Sequence, residues 1–149
     1  MKYYLTLLNI LVLSIVFVSN TRAQEEQVEK WIPIKKDASI RIYLDVNGLD
    51  NTSGDDLYVW TREYYEPPLI IESINGKIYS AKINYLINKE LKKYSIIEII
   101  YYDEENKILQ DFNYQHNSDD ADYQYNYPIL LDSDMDLIYE ECLKYIWQQ

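Results

Sequence analysis

The sequence predicts an α+β fold in which antiparallel strands are followed by one covering C-terminal helix, and three stretches carry that reading. From Ile78 to Asn88, Tyr79, Ala81, Ile83, Tyr85 and Ile87 alternate with Ser80, Lys82, Asn84, Leu86 and Asn88. Only Leu86 breaks the two-residue period of a half-buried strand. The segments Tyr94 to Tyr102 and Lys107 to Tyr114 follow, joined by Asp103-Glu104-Glu105-Asn106, whose short polar composition is that of a hairpin loop. Near the C-terminus the period changes, and Met135, Ile138, Cys142, Tyr145 and Ile146 repeat at helical spacing.

Taken in order, the chain begins with a weakly basic Lys2, an apolar run from Leu5 to Val18 and the small residues of Thr21-Arg22-Ala23. This is the pattern of a secretory signal peptide over 1–23, with a single domain over 24–149. The apolar run is shorter than the ~20 residues a spanning helix needs, so no membrane association is expected after cleavage. The expected location is secreted, periplasmic or at the cell surface. Loss of Lys2 and Arg22 with the leader takes the formal net charge from −11 to −13. That balance argues against nucleic acid as a partner and favours a basic protein surface.

Trp31 to Ile34 is the first apolar piece, and Pro33 restricts it to an edge strand or an extended lead-in. Ile40, Ile42 and Leu44 alternate with Arg41, Tyr43 and Asp45 before the Asn47-Gly48 turn. Leu57 to Tyr65 forms the next strand, with Tyr58, Trp60, Arg62 and Tyr64 on one face and Leu57, Val59, Thr61 and Glu63 on the other. Pro67-Pro68 is expected to stop it, and Asn75-Gly76 to turn the chain into the next strand. His116 to Tyr127 has no periodic apolar face and reads as a polar surface loop ending at Pro128.

The composition holds 17 Tyr against 2 Phe, so the strands present amphipathic rings that can pack inward or bind outward. Tyr58, Trp60, Arg62 and Tyr64 are the candidate binding residues, with Trp60 also suited to a core or inter-element packing role. His116 is the only histidine, and with Ser118 nearby it lacks the orienting group of a nucleophilic triad. HExxH, CxxC and a glycine-rich phosphate loop are all absent from the sequence. No catalytic residue, metal or cofactor is therefore assigned, and an enzyme is not expected. Asp132, Asp134 and Asp136 imitate the start of a calcium loop, but Leu137 and Leu143 stand where Gly and Glu belong. They read instead as a helix N-cap with an acidic first turn, and Asp119, Asp120 and Asp122 as a solvated charge run. Cys142 has no second cysteine in the chain; it is either buried on its helix face or free for an intermolecular bridge.

The order of these pieces resembles the surface-adhesin protein E family. The likeness rests on Trp31, Tyr43-Leu44-Asp45, Val59-Trp60-Thr61 leading to Tyr64-Tyr65, and Tyr94-Ser95-Ile96-Ile97. It continues through Tyr101-Tyr102-Asp103, Asn106-Lys107-Ile108 and the final helix with Cys142, and so covers Trp31 to Tyr145. The resemblance implies a sheet of about six antiparallel strands with the helix packed on it. Two departures stand out. Lys89 lies near the position where the family has a second cysteine, and Asn106 is the positive-φ candidate in a hairpin where the family has glycine. The function implied is a secreted or surface-exposed binding protein that engages a host or envelope protein through a sheet face or edge. Edge pairing into a homodimer is a related expectation. The alternative is a periplasmic small-ligand carrier with a Tyr/Trp-lined pocket between sheet and helix.

Overall fold

The computed structural model describes residues 28–49, 54–114 and 126–147. The expected signal peptide, His116, Ser118 and the acids Asp119, Asp120 and Asp122 lie outside the described residues. Seven strands run in chain order as β1 (Trp31–Lys36), β2 (Ile40–Asp45), β3 (Asp56–Leu69), β4 (Ile78–Asn88), β5 (Lys93–Tyr102), β6 (Ile108–Asn113) and β7 (Tyr127–Pro128). One helix, α1 (Asp134–Trp147), follows. The first six strands form a meander in the order β1-β2-β3-β4-β5-β6, every neighbouring pair antiparallel. Strand β7 joins the same edge of β5 beside β6, through Tyr94 and Lys93. No helix among the described residues is long and apolar enough to cross a membrane.

Short side chains close the turns. Asp37 Oδ1 accepts from the Ser39 and Ile40 amides and the Ser39 hydroxyl, and those bonds hold its carboxyl down to about 2. In the β5–β6 turn, Asp103 Oδ1 accepts from the Glu105 and Lys107 amides, and Asn106 takes φ 60°, the left-handed conformation expected of it. Gly76 sits at φ 127° with Leu109 against it, where an added Cβ would lie 3.1 Å from a methyl group.

The pleat divides the sheet. Ile42, Leu44, Leu57, Val59, Thr61, Ala81 and Ile87 are all 0 % exposed, and the register sets the β2, β3 and β4 members of this group side by side. Onto this face α1 lays Met135, Ile138, Tyr139 and Cys142, with Tyr145 and Ile146 half-buried beside them. The helix starts at Ser133, whose hydroxyl accepts from the Asp136 amide, while the Asp136 carboxylate accepts from the Asp132 amide. This reciprocal arrangement is close to a capping box, and it is the role the acidic first turn was assigned from sequence. Tyr139 donates its hydroxyl to the Lys89 carbonyl at 3.2 Å, tying the helix to the β4–β5 turn. Cys142 is fully buried and burial pushes its thiol up to about 12, so it is a packed apolar residue rather than a nucleophile.

Three expectations are corrected. Pro67-Pro68 does not end β3, which continues to Leu69. The ladder with β4 lapses between Tyr64 and Leu69, so neither proline lacks a bond that its neighbours make there. Tyr127 and Pro128 are not loop but the short β7, and the Tyr127 ring lies 5.4 Å from that of Tyr94. Trp60 packs on the face away from the helix, half-buried, and is not part of the core. Leu86, the out-of-phase residue of β4, is also buried away from the helix, opposite Ser95.

A carboxylate interrupts the core face. Glu63 is half-buried on the helix side, where Tyr65 donates its hydroxyl to Oε2 at 2.9 Å. Burial pushes its carboxyl above the ordinary range; the Tyr65 hydrogen bond opposes that, and the nearby Asp134 charge adds to it. Since the folded-state value is the higher one, Glu63 costs stability as pH rises through it, and costs nothing below the unfolded value. Glu63→Gln keeps the acceptor for Tyr65 and removes the charge. Thermal unfolding should therefore show a higher midpoint for the variant at pH 7, with the gap closing below about pH 4.

Candidate functional site

The opposite face of the sheet is built from the out-of-phase residues of the same strands. The register places Tyr43, Arg62, Lys82 and Ile100 in one row across β2 to β5, and Arg41, Tyr64, Ser80 and Tyr102 in the next. Neighbouring strands lie ~4.8 Å apart, so side chains in and between these rows meet directly. The result is an interleaving of cations and rings. Arg41 and Arg62 both lie over Tyr64, at 5.2 and 5.6 Å from its centroid, and Arg62 lies over Tyr102 at 5.0 Å. Lys82 covers Trp60 at 4.5 Å and Trp31 at 5.9 Å. Tyr43 meets Tyr64 edge-on at 5.7 Å.

The partners of the cations differ. Lys82 is paired with Glu29, whose other oxygen accepts from the Trp31 indole at 2.9 Å. The Lys82 hydrogen bond, with that from Trp31, holds the Glu29 carboxyl below its usual range. Arg62 donates Nη2 to Asn106 Oδ1 at 2.9 Å, reaching the β5–β6 turn. Among the described residues, no carboxylate lies within ion-pair distance of Arg41 or Arg62, and Arg62 Nε is shielded from water without a hydrogen-bond partner. A groove of about 400 Å³ lined by Trp31, Arg41, Tyr43, Arg62 and Tyr64 opens between them. A second of about 410 Å³ continues from Arg41 and Tyr64 toward Asp103, Glu104 and Asn106.

Of the residues singled out from sequence, the structure brings Trp60, Arg62 and Tyr64 together in this cluster. Tyr58 shares their face but stands near the start of β3, 63 % exposed and opposite Leu86, away from the cations. Sequence reasoning missed Arg41, Tyr43, Lys82, Tyr102 and Asn106. The alternation in β2 and β4 already separated Arg41, Tyr43 and Lys82 from the core residues; the register that joins them to Arg62 is not a local signal. The net charge was also a poor guide to this face, which concentrates Arg41, Arg62 and Lys82 in an acidic chain.

On the helix side Leu44, Leu57, Val59, Ile138 and Cys142 pack at 0 to 2 % exposure. No cluster of His, Cys, Asp or Glu able to hold a metal ion occurs among the described residues. No protein-family model, no curated protein and no solved structure matches the chain.

The stacking of Arg62 on Tyr102 is open to direct measurement. A double-mutant cycle with Arg62→Gln and Tyr102→Leu, read by urea denaturation, should give a coupling of about 0.5 to 1 kcal/mol. Zero coupling would mean the two side chains do not hold each other.

Proposed function

We propose that the protein is an exported binding module that engages a protein partner through the face of the sheet opposite the helix. The observation that carries this reading is the Arg41–Tyr64–Arg62–Tyr102 stack. It keeps two guanidiniums without a carboxylate partner among the described residues, in a chain of net charge −11. Arginine beside Trp and Tyr is the composition of interface centres, where a few such residues supply most of the binding energy. The sequence supports export through its N-terminal leader pattern, and the resemblance to the protein E adhesins supports binding rather than catalysis. The grooves on this face, set against the filled space under the helix, favour face binding over a carrier role.

The test is a biosensor titration of the leaderless chain against purified matrix and envelope proteins, with Trp60→Ala and Arg62→Ala beside the wild type. A saturable response is expected, weakened by each substitution roughly tenfold or more, the effect of losing a side chain at an interface centre. A saturable response unchanged by both substitutions would move the interface off this face, and no saturable response to any protein would remove the reading.

A further inference from the structure

We infer that Arg41 and Arg62, arranged about Tyr64, form a clamp for side-chain carboxylates of an acidic peptide segment on the partner. This rests on the face-binding reading and specifies its chemistry. Tyr64 carries a guanidinium at 5.2 Å and another at 5.6 Å, and the Tyr102 ring holds Arg62 at 5.0 Å. These rings are engaged by cations and are poorly placed to stack on a base or a sugar. The guanidinium edges remain, and a planar fork of N–H donors matches a carboxylate in two parallel hydrogen bonds.

Arg62 is positioned before any ligand arrives. Two tyrosine rings flank it and Asn106 Oδ1 takes its Nη2, while Asn106 is itself fixed in the turn that Asp103 organises. Ordering that long side chain is thus already done in the free protein, which lowers the cost of binding. Its shielded Nε–H lacks an acceptor among the described residues. A carboxylate entering the groove beside Tyr43 therefore meets the Nη edges of the two guanidiniums rather than this nitrogen, which water does not reach.

Charge selects the kind of anion. At net −11 the chain repels a long polyanion, whereas a short acidic segment feels chiefly the local field within a screening length of ~8 Å. Asp103 and Glu104 line the far groove, whereas the Glu29 carboxylate beside Trp31 is already bound by Lys82 and the indole, so the segment approaches from the side of Trp31 and Tyr43. Lys82 stands outside the clamp because Glu29 already neutralises it.

The experiment is an NMR titration of the leaderless chain, which contains every described element, following the arginine side-chain Nε–Hε signals. The probes are decameric oligo-L-glutamate, inorganic phosphate and a decameric single-stranded oligodeoxynucleotide. Oligo-glutamate should shift the Arg41 and Arg62 signals saturably and more tightly than either other probe. Arg62→Lys keeps the charge but loses the fork, and should weaken that binding roughly tenfold, while Lys144→Gln on the exposed side of the helix leaves it within about twofold. Unchanged thermal midpoints for both variants will separate lost recognition from lost folding. Equal response to phosphate, tighter binding of the oligonucleotide, full binding by Arg62→Lys, or no arginine shift would each overturn the clamp. If the biosensor response stays sensitive to Trp60→Ala in any of those cases, the face survives and only its carboxylate chemistry falls.

Discussion

Everything in this structure depends on the phase of the pleat in β3 and β4. With Leu57, Val59 and Thr61 opposite Ile87, Tyr85 and Ile83, one face of the sheet becomes a largely apolar surface, interrupted at Thr61 and Glu63, and receives α1. The same register forces Trp60, Arg62 and Tyr64 onto the other side with Lys82. No disulfide supports the helix, since Cys142 is unpaired and buried within its own stripe. Packing of Met135, Ile138, Tyr139 and Cys142, the end cap at Ser133 and the tie from Tyr139 to Lys89 must therefore hold it. Burial of side chains of this size contributes roughly 1.5 to 3 kcal/mol each, so one or two of them already match the ~2 to 4 kcal/mol of a closed disulfide loop.

The open face follows as a consequence of that choice. A long arginine or lysine at a sheet centre is an awkward neighbour for another cation. Here the like charges are separated by tyrosine and tryptophan faces, which attract cations through their quadrupoles. Among the described residues only Lys82 of these three cations is ion-paired, with Glu29 of the segment entering β1, whose charge Arg62 also feels. Net charge and local charge point in opposite directions on this molecule.

Much of the fold is legible in the sequence because its signals are local. Period-two alternation marks β2, β3 and β4, and the helical stripe from Met135 to Ile146 marks α1. Asn106, Gly48 and Gly76 occupy the positive-φ turn positions that their chemistry suits. What could not be read depends on pairing between distant segments. The extension of β3 past Pro67-Pro68 is tolerated because the ladder lapses there, and β7 exists only because Tyr94 and Lys93 offer an edge beyond β6. The site was legible in part for the same reason. Alternation alone places Trp60, Arg62 and Tyr64 on one face, whereas Arg41 and Tyr102 join them through register across three strands.

The central claim is that Trp60 and Arg62 face away from the helix while Val59 and Thr61 lie under it. Nuclear Overhauser contacts of the Trp60 indole test it most directly, because a slip of one residue would exchange every side chain of β3 between faces. Contacts from Trp60 to the Lys82 side chain, together with contacts from Val59 to the helix, are the predicted result. Contacts from the Trp60 indole to Ile138 or Cys142 would contradict the account, and would move the cationic cluster into the core.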